Sequence, residues 1–215
     1  MNKDYTHITV VLDRSGSMQR CWKETVGGLE GLIKNQKTNK EQCTLSLYSF
    51  DNTVERPVEF TDIQILSESV EDLKIYPRGS TALYDAIGQA IVETGEKLAS
   101  LPEKERPARI IFVITTDGEE NSSVEYSSSR VKDLIKTQTE KYSWDFMFLG
   151  ASEHSILNAK EIGIDISNIS RYNVSKTTKT FDTMSTKLNS VRSASFDSYK
   201  STLAFTEIEK SAMVD

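Results

Sequence analysis

The stretch Ile8-Thr9-Val10-Val11-Leu12-Asp13-Arg14-Ser15-Gly16-Ser17 decides the fold. Its first five residues are apolar or β-branched, too few for a helix, and they give way at once to polar turn residues. Two later runs do the same. Ile110-Ile111-Phe112-Val113-Ile114 leads into Thr115-Thr116-Asp117-Gly118, and Phe146-Met147-Phe148-Leu149 leads into Gly150. Unbroken apolar runs of this length predict strands covered on both faces, as in parallel sheets. Between them lie residues at helical spacing: Trp22, Val26, Leu29 and Ile33, then Leu83, Ile87, Ala90 and Thr94, then Val131, Leu134 and Ile135. Leu45, Leu47 and Ser49 alternate with Ser46, Tyr48 and Phe50 as a further strand. Asp51-Asn52 is a turn, and Val54 to Phe60 pairs back antiparallel at a sheet edge.

Strands alternating with helices imply right-handed crossovers. The expected fold is α/β, a doubly wound and mostly parallel sheet with one antiparallel edge strand and helices on both faces. After Gly150 the pattern predicts a short helix (Ile156, Leu157, Ala159, Ile162) and a last strand over residues 166–172. A final helix carries Phe181, Met184, Leu188 and Val191 on one face, and the last ten or so residues fray. No repeat or long linker divides the chain. The reading is one domain over residues 1–172, with residues 173–215 as a helical extension packed on or next to it.

In open α/β sheets a ligand site lies beyond the carboxyl ends of the strands, where strand order reverses. Three segments converge there: Asp13-Arg14-Ser15-Gly16-Ser17, Arg78-Gly79-Ser80-Thr81 and Thr116-Asp117-Gly118. They offer two carboxylates (Asp13, Asp117) and three hydroxyls (Ser15, Ser17, Thr81). An oxygen-only set without imidazole or thiolate is a poor match for zinc, copper or iron. It suits Mg²⁺, with Mn²⁺ or Ca²⁺ as alternatives, and a hard cation of this kind keeps positions for exogenous ligands. A carboxylate from a partner protein could complete the shell, so the metal would act as a docking bridge.

Asp13-x-Ser15-x-Ser17, followed by Gly79-Ser80-Thr81 and Thr116-Asp117-Gly118, resembles the three parts of the metal-ion-dependent adhesion site (MIDAS) of von Willebrand factor type A domains. The resemblance covers roughly residues 5 to 172. It implies that Ser15, Ser17 and Thr81 ligate the metal directly, and that Asp13 and Asp117 do so directly or through water. All five positions follow the pattern. Trp144-Asp145-Phe146-Met147-Phe148-Leu149-Gly150-Ala151 and the Thr/Lys-rich helix near Thr177–Ser190 are similar, more narrowly, to small stand-alone A-domain proteins of bacteria and their phages.

Composition narrows the remaining choices. The 215 residues carry 26 Lys+Arg and 32 Asp+Glu, a net charge of −6. The last 45 residues hold seven basic and five acidic side chains, so 19 and 27 fall in the first 170. That acidic body argues against nucleic acid as a partner. The lack of a long apolar span argues against a membrane, and the absence of a secretory pattern at the N-terminus predicts a cytoplasmic protein. Cys21 and Cys43 read as small buried hydrophobes.

No enzymatic turnover is expected. Ser15 and Ser17 sit in no nucleophile elbow. His7, placed at the start of the first strand, lies about 20 Å from Asp13 at roughly 3.3 Å per residue, and His154 reads as a surface residue at a helix start. A metal-dependent phosphotransferase or phosphatase is the enzymatic alternative, although Ser15 stands where such sites carry a second carboxylate. A third reading is an assembly protein acting through the basic terminal helix with Lys176, Lys179, Lys187 and Arg192. Glu119 and Glu120 are either a solvated loop or a source of negative potential near the metal.

Overall fold

In the computed structural model, which describes residues 1–215, β1 (Asn2–Asp13) is a central strand. It pairs in parallel with β2 (Gln42–Phe50) on one side and β4 (Pro107–Thr116) on the other, with Ile8 opposite Leu45 and Ile111. β3 (Val54–Asp62) pairs antiparallel with β2, with Leu47 opposite Val58, and forms one edge. β5 (Asp145–Gly150) and β6 (Ile169–Arg171) extend the other side in parallel, giving the order β3-β2-β1-β4-β5-β6. The expected mostly parallel sheet with one antiparallel edge strand is what the chain forms. Strand order reverses between β1 and β4, so their carboxyl ends stand side by side.

Side-chain alternation along β1 divides the core in two. Ile8, Val10 and Leu12 face a cluster built with Leu29, Leu32 and Ile33 of α1 (Trp22–Thr38) and with Phe181, Met184, Leu188 and Val191 of α5 (Thr177–Ser193). Val11 faces the opposite cluster. There Phe112, Ile114 and Phe148 pack under α2 (Leu83–Ser100), α3 (Ser128–Tyr142) and α4 (Glu153–Glu161). Both faces are covered, which is why these strands read as unbroken apolar runs. α5 lies close on α1 because Gly28 has no side chain; a Cβ there would sit 2.6 Å from the Phe181 ring. No helix is long and apolar enough to cross a membrane.

Three local expectations need correction. β1 begins at Asn2, so His7 is a fully buried mid-strand residue, stacked on Phe60 with ring centroids 3.7 Å apart. The expected strand over residues 166–172 is only three residues long. Asp165 accepts hydrogen bonds from the Ser167 N–H (2.8 Å) and Oγ (2.6 Å) and so holds residues 166–168 in a 3₁₀ turn before β6 starts. The chain end does not fray. α6 (Glu207–Val214) opens on a reciprocal cap between Thr206 and Glu209, buries Met213, and receives the Asn173 N–H at the Met213 carbonyl.

Two of the seven cations of the terminal segment, Lys187 and Arg192, are buried inside the fold. Arg192 is fully buried and donates to the Gln36 and Glu41 carbonyls (2.8 and 2.7 Å), capping the end of α1. Arg109 caps α5 in the same way through the Arg192 and Ala194 carbonyls, both at 2.7 Å. Positive charge is favoured at a helix C-terminus, and the Gln36 and Arg192 carbonyls lie in the last turns of α1 and α5, where no partner is available within the helix. Lys187, also buried, donates to the Thr202 and Ala204 carbonyls and pairs with Glu209.

Candidate metal centre

Each of the three polar segments starts where a core element stops. Asp13 closes β1, and the chain turns into a 3₁₀ stretch, Gly16–Cys21, that carries Ser17. Asp117 follows the end of β4, the strand beside β1. Thr81 precedes Leu83, the first residue of α2. Backbone bonds tie the segments together. The Gly16 N–H donates to the Gly79 carbonyl (3.1 Å) and the Arg78 N–H to the Arg14 carbonyl (2.8 Å). The Asn121 N–H donates to the Thr81 carbonyl (3.1 Å), while Asn121 Oδ1 accepts the Thr81 N–H (2.9 Å). Gly79 has φ of 69°, and a side chain there would run into Asn52; this turn therefore requires glycine.

All five residues named from the sequence come together. Asp13 is fully buried; its Oδ1 accepts the Ser15 N–H (2.6 Å) and its Oδ2 the Thr116 hydroxyl (2.5 Å). The Ser15 and Ser17 hydroxyls are 3.0 Å apart, and Ser17 Oγ donates to Asp117 Oδ1 (2.5 Å). A Cβ built on Gly118 would lie 3.3 Å from Thr81 Oγ1, 3.6 Å from Ser17 Oγ and 3.8 Å from Asp13 Oδ2. Oxygens of Asp13, Ser17 and Thr81 thus face one small space beside Gly118, and Asp117 joins them through the bond it accepts from Ser17. Burial pushes the Asp13 carboxyl up to about 6, against the bonds from Thr116 and Ser15, and the Asp117 charge adds to the rise. Two carboxylates in one buried place favour a cation.

The donor set fits a hard divalent cation: two carboxylates, three hydroxyls, and no sulfur or imidazole. The chain has no cluster of three or more His, Cys, Asp or Glu side chains able to hold a metal. Any ion here would depend on the hydroxyls and on ligands from outside the chain.

Several residues that build the site carried no local signal. Arg20 donates to Asp117 Oδ2 through Nη2 (3.0 Å) and Nε (3.3 Å). Asp51 anchors the Thr81 loop by accepting Arg78 Nε (2.6 Å) while its carbonyl accepts the Ala82 N–H (2.8 Å). Glu55 joins Arg78 and Arg14, both at 2.7 Å. Burial works against the Asp51 charge, but the bonds from Arg78 and Thr53 and the nearby Arg14 outweigh it and hold the carboxyl below its usual range. Asp85 accepts the Val124, Glu125 and Tyr126 N–H groups and pins the loop after Asp117 onto α2. Glu120 is tied into the loop rather than standing free in solvent. It accepts the Tyr84, Ser122 and Ser123 N–H groups. Glu119 pairs with His154 at the surface, 2.8 Å away.

A family model described as von Willebrand factor type A domain matches residues 7–187. No curated protein matches the chain by sequence. Among solved structures, proximal thread matrix protein 1 from the mussel byssus, with a zinc-occupied MIDAS motif, is similar with a TM-score of 0.59 and 15% identity over 86% of this chain and 46% of that one. The vWF domain of the type V pili tip protein Mfa5 from Porphyromonas gingivalis gives 0.62 and 9% identity, over 86% and 95%. The manganese-loaded Plasmodium vivax TRAP protein gives 0.57 and 17% identity, over 83% and 72%. At these identities the likeness is one of fold, and the chain spans less than half of the mussel protein.

Proposed function

The chain belongs to the von Willebrand factor type A domain family, and on that premise we propose that it is a metal-dependent protein-binding module. Asp13, Ser15, Ser17, Thr81 and Asp117 hold Mg²⁺, and an Asp or Glu of a partner protein docks on the bound ion. The observation that carries this reading is the convergence of Asp13, Ser17 and Thr81 oxygens on the space beside Gly118, with Asp117 bonded to Ser17, Asp13 buried and its carboxyl raised to about 6. Zinc and manganese in the related structures support a divalent ion at this place in the fold. When bound, the ion supplies a Lewis-acidic position for a carboxylate oxygen. The chain's own part is to fix the donors: Thr116 and the Ser15 N–H orient Asp13, Asn121 orients the Thr81 loop, and the Asp51–Arg78 pair braces it.

The role is coordination without turnover. Both oxygens of Asp13 already accept hydrogen bonds inside the core, which leaves it poorly placed to attack a phosphoryl group. A partner surface on the basic terminal helix is also disfavoured, since Lys187 and Arg192 are buried in internal bonds. Calorimetric titration with Mg²⁺ tests the proposal: the native chain binds, and Asp117→Ala and Thr81→Ala, checked for folding by circular dichroism, bind at least about tenfold more weakly. Heat of binding unchanged in both variants would remove these residues from the site. Capture of protein partners that is lost in chelator and with Asp13→Ala tests the second half.

A further inference from the structure

Arg20 is the one cation in contact with the five-residue cluster. Its guanidinium reaches Asp117 Oδ2 through two nitrogens, at 3.0 and 3.3 Å, while its own side chain is 59% exposed and that of Asp117 fully buried. Asp117 Oδ1 meanwhile accepts the Ser17 hydroxyl. Both oxygens of the Asp117 carboxylate therefore accept from protein donors, one of them a solvent-facing charge. Three residues further on, Lys23 is exposed and makes no ion pair.

We infer that Arg20 is a built-in competitor of the metal. It neutralises Asp117 when no ion is bound and must leave that oxygen, or share it, for the ion to enter. This rests on the metal-binding reading above and adds to it that the chain sets its own affinity lower than the five donors alone would give. The physical reason is the charge balance. Two buried carboxylates without a cation would repel each other across the hydroxyls, so a resident guanidinium keeps the loops in place. A divalent ion must then displace an ion pair and sit near a like charge. The exposure of Arg20 keeps this cost small and sensitive to salt. Because Arg20 stands in the same 3₁₀ stretch as Ser17, a displaced guanidinium remains tethered near the cluster.

The test is Mg²⁺ titration calorimetry on the full chain, comparing the native protein with Arg20→Gln, Arg20→Lys, Lys23→Gln and Asp117→Ala, at low and at high salt. Arg20→Gln should bind Mg²⁺ on the order of fivefold more tightly at low salt, Arg20→Lys should fall between, and Lys23→Gln should change binding less than about twofold. The gap between Arg20→Gln and native should narrow at high salt. A merely structural role for Arg20 would weaken binding instead. Binding by Arg20→Gln equal to or weaker than native, or an equal gain in Lys23→Gln, overturns the inference while leaving the metal site intact. If the native chain shows no Mg²⁺ binding that Asp117→Ala removes, the site itself is wrong and this inference falls with it.

Discussion

Acid should unfold this protein through His7. The imidazole is fully buried in mid-strand, its Nδ1 is 2.9 Å from Thr44 Oγ1, its Nε2 has no partner, and one face is stacked on Phe60. A charged ring could not be solvated there, and burial pushes its pKa from 6.5 down to about 3. The folded chain thus binds fewer protons at this position than the unfolded chain. The stability His7 contributes is complete above pH 6.5 and is lost as pH falls through 6.5 towards 3. At about pH 5 the loss from this residue alone is about 2 kcal/mol, and at about pH 4 about 3 kcal/mol. The perturbation is His7→Gln, which keeps an amide able to bond Thr44 but cannot titrate. Urea unfolding followed by fluorescence of Trp22 and Trp144, in chelator at about pH 7.5 and about pH 5, measures the difference. Asp13 acts with the opposite sign: its carboxyl is raised to about 6, so its contribution is present at low pH and is lost as pH rises through 6. Both proteins contain it, and it cancels. The native chain should lose about 2 kcal/mol more than the variant on acidification. Equal losses would refute the reasoning, whatever the variant costs at neutral pH.

Three further outcomes follow from the packing. Gly118→Ala places a methyl group 3.3 Å from Thr81 Oγ1 and close to two other donors, so Mg²⁺ affinity should fall by at least about tenfold while thermal unfolding in chelator moves little; calorimetry and a melting curve read the two. Arg78→Gln removes two bonds of 2.6 and 2.7 Å from Asp51 and Glu55 and frees the Thr81 loop. Hydrogen exchange at residues 78–82 should speed up while the urea midpoint of global unfolding moves little, because the arginine is largely exposed. Lys187→Met strands the Thr202 and Ala204 carbonyls and removes the cation beside Glu209. It should cost roughly 1–3 kcal/mol and make the chain after residue 198 the first site of limited proteolysis.

How far the sequence could be read depended on whether a feature was local. The strands announce themselves because each is covered on both faces, and the five oxygen donors do so because each sits at or within four residues of a strand's end or just before a helix. Arg20 could not be read this way. It lies 97 residues from Asp117 in the chain, and a basic residue early in a polar turn looks like any solvated charge. Arg109 and Arg192 hid for a related reason, since their targets are carbonyls at helix ends that only the packing of α1 against α5 brings near. Asp85 and Glu120 gave no sign that their donors would be backbone N–H groups of a loop. α6 was legible in principle: Thr206-Glu207-Ile208-Glu209 is a helix-start pattern, but eight residues beside a chain end carry little periodicity to support it.

The central place of β1 also governs the timing of synthesis. Of the six strands of this sheet it leaves the ribosome first, yet its second edge cannot be paired until Pro107–Thr116 has emerged, about a hundred residues later. At roughly 5–20 residues per second, that is on the order of 5–20 s during which an open strand edge faces the cell. Thr6, His7 and Thr9, which sit uneasily in a finished core, interrupt the apolar run over this interval and make β1 a poorer template for another chain. Asp13 and Asp117 come from the two strands that close this gap, so a nascent chain has no metal site to fill before its central sheet can form.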